Sequence, residues 1–217
     1  MVCKLEEELS ELIEACPGLS ITQRSNTYIT VSGILTFETK YKDLETINDW
    51  FDLEITIPIN YPGDLPVVKD RGSKVDNNYE HINFNKTFCL AVPLEEKNVF
   101  DQSPNLVGFI DNLVIPFLYS YCYWQKNNEM PYGEMAHGAD GLVQYYLDLF
   151  DSNDPAVILP LIFKCLKHGY NAHIPCVCGS GKKTLRCHKK ETKFILKASN
   201  KNQVLSDLCN IYEDIRK

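Results

Sequence analysis

Residues 51–68 read FDLEITIPINYPGDLPVV, and residues 81–93 read HINFNKTFCLAVP. In the first stretch Phe51, Leu53, Ile55 and Ile57 alternate with Asp52, Glu54 and Thr56. This is the period-two pattern of a strand with one buried and one solvated face. Pro58, Pro62 and Pro66 follow at four-residue intervals. Each fixes φ and removes a donor, so the chain leaves the strand as a stiff extended connection. Val67 and Val68 offer a last short strand. The second stretch reads as a loop holding Cys89, with His81 ahead of it and the amides of Asn83 and Asn85 between. Cys89 is the candidate nucleophile, and the surrounding elements are the candidate frame that presents it.

Working outward, residues 4–15 place Leu5, Leu9, Leu12 and Ile13 at helical spacing, with Pro17 and Gly18 as the stop. Residues 26–39 are rich in Thr, Ile, Val and aromatics, with Ser32-Gly33 in the middle. That pattern predicts two strands joined by a tight turn, or one strand with a bulge. After Pro93 a polar loop is expected to run to Gln102, with Ser103-Pro104 opening a helix. Leu106, Ile110, Leu113, Val114, Phe117, Leu118 and Tyr121 form its apolar stripe, and Pro116 predicts a kink or break. Further helices follow at Leu142–Phe150 and from Asp154-Pro155 to Gly169, and an amphipathic segment closes the chain.

The 217 residues are 44% hydrophobic, enough for one sizeable core and a second small module. No uninterrupted apolar run approaches the roughly 18 residues of a membrane helix, and the acidic start MVCKLEEEL has no apolar h-region. A cytoplasmic protein with no membrane partner is expected. Nine cysteines in such a chain read as metal ligands, nucleophiles or small hydrophobes rather than disulfides. The net charge of −7 is uneven: residues 160–217 carry 12 Lys/Arg against 4 Asp/Glu, and the rest carries 10 against 25. Such asymmetry points either to different partners for the two parts or to simple attraction of one part for the other.

Residues 174–190 read IPCVCGSGKKTLRCHKK. Cys176, Cys178, Cys187 and His188 supply four ligands of the kind that suits a closed tetrahedral zinc site, and Gly179 and Gly181 let the chain reverse between the pairs. A module of this size cannot build its own core, so the metal would supply its folding free energy. The string Cys-x-Cys-Gly-Ser-Gly-Lys-Lys-x-x-x-Cys-His closely resembles the SEC-C motif, a zinc-binding tail, which implies structural zinc and docking rather than catalysis. Lys182, Lys183, Arg186, Lys189 and Lys190 suit an acidic partner. The basic surface has no interleaved aromatics, which argues against nucleic acid.

The order of elements carries a second resemblance. A leading helix, a strand meander, the Tyr61-Pro62…Pro66 segment, an asparagine-bearing loop, Cys89-Leu90 and then helices resemble the ubiquitin-conjugating enzyme fold across roughly residues 4–125. That resemblance implies an α+β domain, a four-stranded antiparallel meander flanked by helices, over residues 1–170. Residues 171–217 would form the zinc module and closing helix. The family's His-Pro-Asn triplet would fall at Tyr79-Glu80-His81, so His81 stands where an oxyanion-stabilising asparagine is expected and Asn83 is the nearest amide. Glu134 and His137 are one helical turn apart. His137 is a candidate base, or a group orienting the acceptor amine.

The implied activity is acyl transfer. Cys89 would take the C-terminal acyl group of a ubiquitin-like modifier, or of another protein, from an ATP-dependent activating enzyme as a thioester. It would then pass that group to an amine of an acceptor protein, with a nucleotidyltransferase among the candidates. The two resemblances together point to a bacterial relative of the kind found in conjugation or antiviral defence operons. Two alternatives are weighed with it: a non-catalytic adaptor that docks through the SEC-C tail, and a cysteine hydrolase pairing Cys89 with His81 or His137.

Overall fold

The structure is a computed structural model and describes residues 2–131, 138–176 and 178–216. The fold is α+β: a four-stranded antiparallel sheet flanked by helices, with a Cys₃His cluster near the C-terminal end. Packing divides the chain into two compact units, residues 1–91 with 95–134, and residues 92–94 with 135–217. The helices after residue 134 therefore belong with the C-terminal module, and the expected boundary at residue 170 is not where the packing divides.

In the first unit, helix α1 (Val2–Ala15) precedes strands β1 (Leu19–Arg24), β2 (Tyr28–Lys40), β3 (Thr46–Pro58) and β4 (Val67–Asp70), which lie in chain order. The alternation of β3 is realised: Phe51, Leu53, Ile55 and Ile57 are buried, and Asp52, Glu54 and Thr56 are not. Residues 28–40 form one long strand rather than two, paired with β3 from Tyr28↔Pro58 to Lys40↔Thr46. Gly33 is needed for a close approach, not for a turn. A Cβ there would lie 2.1 Å from the Gly18 carbonyl oxygen, and its φ is +141°. The register irregularity falls instead in β1, between Ile21 and Gln23.

Residues 93–100, expected as loop, form helix α2 (Pro93–Phe100), with proline at its start and Glu95 and Glu96 in the first turn. Helix α3 (Leu106–Phe109) is capped by Asn105, not by Ser103: the Gly108 N–H donates to Asn105 Oδ1 at 2.7 Å. A π-helical turn (Ile110–Val114) then leads into α4 (Ile115–Asn127). The π turn ends two residues before Pro116, whose missing N–H and ring bulk disfavour regular α-helical bonding; of the kink or break expected there, the helix shows no break. Leu106–Asn127 is long enough to cross a membrane, with mean hydropathy 1.3 in its most apolar window, but 67% of that window is buried within the protein.

Buried Glu8 ties this unit together. Its Oε2 accepts from Tyr61 Oη at 2.6 Å and from the Leu106 N–H at 3.1 Å. One carboxylate thus links α1, the proline segment and the start of α3.

The second unit contains α5 (Gly138–Leu149), α6 (Pro155–His168), a short 3-10 turn (Thr184–Arg186), α7 (Lys189–Ile195) and α8 (Ala198–Ile215). Asp154 caps α6 as expected, its Oδ1 accepting from the Ala156 N–H at 2.9 Å. Tyr146, Phe150, Ile158, Ile162, Ile195, Val204 and Ile211 form its core. Within that core Tyr146 Oη donates to Asp207 Oδ2 at 2.8 Å, and Gln203 Nε2 donates to Oδ1 at 2.8 Å.

Candidate functional site

The segment around Cys89 is a tight reverse turn sewn to the edge of the sheet. Ile82 bridges Phe88 and Lys69 bridges Thr87, both antiparallel. The Phe88 N–H donates to the Val68 carbonyl at 2.8 Å, and the Phe88 ring stacks on Phe117 at 4.4 Å. The turn is closed by Asn83 N–H to Thr87 O at 2.9 Å and Lys86 N–H to Asn83 O at 2.8 Å, with Lys86 in the left-handed region at φ +66°. Phe84, at its tip, is fully exposed.

The amides of this loop hold the loop. Asn83 Nδ2 donates to Thr87 Oγ1 at 3.0 Å and to the Phe88 carbonyl at 3.3 Å. Asn85 Oδ1 accepts from the Thr87 N–H at 3.2 Å and its hydroxyl at 2.7 Å. Asn83, expected as an oxyanion donor, is therefore engaged in shaping the turn. His81 contributes its backbone: the Cys89 N–H donates to the His81 carbonyl at 2.8 Å. The His81 ring packs edge-on to Tyr79 at 5.2 Å. Tyr79, Glu80 and His81 also line a cleft of about 170 Å³ with Trp124 and Met130. Glu134 and His137 lie outside the described residues.

Cys89 is half-buried. Burial, and then the charge of Glu96, push its thiol above the usual cysteine range. Burial also raises the Glu96 carboxyl to about 7, although the Ala91 N–H, 3.3 Å from Oε1, favours its ionised form. Glu96, whose charge acts on Cys89, is not among the residues expected from the sequence. The pattern Pro93-x-Glu95-Glu96 is a helix-start signature that could have located it.

In the second unit Cys176, Cys178, Cys187 and His188 come together, with one donor atom from each lying within 4.8 Å of all the others. This group can hold a metal ion. Cys176 Sγ and Cys187 Sγ lie 3.3 and 3.5 Å from His188 Nδ1, and Cys178 Sγ lies 3.5 Å from Cys187 Sγ. Bonds of about 2.3 Å to sulfur and 2.0 Å to nitrogen put tetrahedral ligands roughly 3.5–3.8 Å apart, so the donor set fits a tetrahedral ion with little movement.

The local fold follows from the glycines: Gly179 and Gly181 both have positive φ, at 79° and 71°. The reversal is closed by the Cys176 N–H donating to the Lys182 carbonyl at 2.7 Å. Burial opposes ionisation of Cys178, but hydrogen bonding with Ser180, Cys176 and Cys187 outweighs it and lowers that thiol to about 6. Burial pushes Cys176 up to about 12.

Comparison with protein-family models, with curated proteins and with solved structures gives no match.

Proposed function

We propose that the protein is a ubiquitin-like conjugating enzyme that carries an acyl group as a thioester on Cys89, with zinc in its Cys₃His cluster as a structural ion. The observation that carries this reading is the setting of Cys89: a half-buried thiol after a hydrogen-bonded turn, backbone-anchored to His81. The helix, the four-stranded meander and the position of the cysteine loop after β4 agree with the ubiquitin-conjugating resemblance.

In the reaction the Cys89 sulfur attacks the thioester carbonyl of the modifier carried by the activating enzyme. The new C–S bond forms as the old one breaks, and the activating enzyme's thiol leaves. The Cys89 proton passes to a base, for which Glu96, whose charge acts on this thiol, is the candidate. The amine of the acceptor protein then attacks the Cys89 thioester, loses its proton, and releases Cys89 as the thiol. No nucleotide is consumed in these steps, because the thioester already stores the activation energy. Zinc takes no part in them. Its role is to hold the C-terminal module, whose basic residues suit an acidic partner. A cytoplasmic setting and a bacterial conjugation or antiviral defence context belong to the same proposal.

One observation favours the rival reading of a non-catalytic adaptor: burial keeps the Cys89 thiol protonated and less reactive. The two are separated by mass spectrometry of the tagged protein recovered from its own cells without reductant. A conjugating enzyme carries a thiol-labile adduct on Cys89 that Cys89→Ala abolishes. An adaptor carries none, and its Cys89→Ala variant supports conjugation as well as the wild type does.

A further inference from the structure

The tautomer of His188 can be assigned from its neighbours. Nε2 lies 3.1 Å from the Phe150 carbonyl oxygen. A carbonyl only accepts, so Nε2 must carry the hydrogen. Nδ1 is then the nitrogen turned toward Cys176 Sγ and Cys187 Sγ. The imidazole therefore spans two structures: one nitrogen at the cysteine cluster and the other at the end of α5.

Phe150 is an informative place for that contact. It follows the last residue of α5, and its N–H still donates to the Tyr146 carbonyl at 3.1 Å. Its own carbonyl is among the last of the helix, which lack an intrahelical donor. The Phe150 side chain is completely buried in the second core, and its ring meets the His188 ring edge-on at 5.4 Å. On the other side, His188 immediately precedes α7, and its carbonyl accepts from the Thr192 N–H at 3.1 Å. Ile195 of α7 is buried in the same core as Phe150.

We propose that the metal centre is a clasp on the second unit. His188 ligates through Nδ1 while its Nε2–H is held by the Phe150 carbonyl, so that metal loading fixes the end of α5 and the start of α7 against their shared core. The occupant is a divalent ion with tetrahedral preference, held by three thiolates and one imidazole. The metal-held module is then not an independent appendage. The inference rests on the metal reading above, and it adds that the ion's effect reaches Phe150, 38 residues back along the chain from His188, and the surrounding residues 142–152.

Cobalt(II) serves as the probe, and the readout is amide hydrogen exchange in residues 142–152 of the full chain. Cobalt loading of the wild type is expected to slow that exchange by about tenfold or more relative to the chelated protein. His188→Cys keeps four ligands and should still give the charge-transfer bands of thiolate-bound cobalt, yet lose this slowing. The clasp is overturned if residues 142–152 exchange alike with and without metal in the wild type, or if His188→Cys retains the slowing. A wild type that shows no cobalt–thiolate absorption overturns the metal reading itself. Long-range proton–nitrogen spectra of the zinc-loaded, nitrogen-15 histidine-labelled wild type decide the matter independently of any variant. Metal on Nδ1 with a protonated Nε2 supports the clasp, and metal on Nε2 overturns it.

Discussion

The Cys89 amide donates to the His81 carbonyl over 2.8 Å, so the candidate nucleophile is positioned by the backbone of the residue expected to assist it. The side chains around them divide the work differently from a simple helper scheme. Asn83 and Asn85 build the turn, and Glu96 of the following helix accepts from the Ala91 N–H and acts on the thiol through its charge.

Asn83 illustrates the structural share. Asn83→Ala removes donors to Thr87 and Phe88. It should lower stability by about 1–2 kcal/mol, seen as a fall in Tm of roughly 2–8 °C. The turn then loosens around Cys89, so alkylation of that thiol by iodoacetamide should speed up in the same variant.

Glu96 yields a prediction with a definite sign. Its folded-state pKa is raised to about 7, above the ordinary value of 4.5. The folded state therefore binds more protons than the unfolded state between these values, and stability falls as pH rises from about 4.5 to 7, then levels. Glu96→Gln removes that cost and can still accept from the Ala91 N–H. It should match the wild type in chemical denaturation at pH 4 and exceed it by on the order of 1–3 kcal/mol at pH 8. The same substitution removes a charge that helps hold the Cys89 thiol protonated. Alkylation of Cys89 at pH 8 should accelerate, while conjugation, which needs the base, should slow.

Glu8 governs the frame. Glu8→Ala leaves the buried Tyr61 hydroxyl and the Leu106 N–H without their acceptor. A loss of roughly 2–5 kcal/mol is expected, the sum of two unsatisfied donors and a small cavity. Tyr61→Phe removes one donor only and should cost about 1–3 kcal/mol. Denaturant titration ranks the two.

In the second unit, Asp207→Ala strands the buried Tyr146 hydroxyl and should cost about 1–3 kcal/mol. The paired change with Tyr146→Phe should cost less than the two single losses added together, which a double-mutant cycle measures.

How much of this is legible in the sequence depends on how local its cause is. The alternation of Phe51 to Ile57 is visible because one face of β3 is buried and the other is not. The Cys₃His cluster is visible because all four of its residues lie within residues 176–188. Gly33 was misleading because its reason is remote: the carbonyl of Gly18 crosses it. Helix α2 escaped because it has only 8 residues and no apolar stripe, so its cues are the proline and the two glutamates alone. The Phe150 carbonyl could not have been found from side-chain patterns at all, since it acts through the backbone. The boundary near residue 134 depends on which core each helix joins, which helical periodicity does not specify.

If Cys89 carries an acyl group, the bond that holds the adduct is a thioester, and its chemistry can be read directly. Tagged wild type and Cys89→Ser proteins are recovered from their own cells and analysed by non-reducing gel and intact mass. A modifier-sized adduct that hydroxylamine removes is expected on the wild type, and the same mass on Cys89→Ser as an oxyester that resists it. An adduct that persists in Cys89→Ala, or conjugation that proceeds unchanged in that variant, would contradict acyl carriage by Cys89.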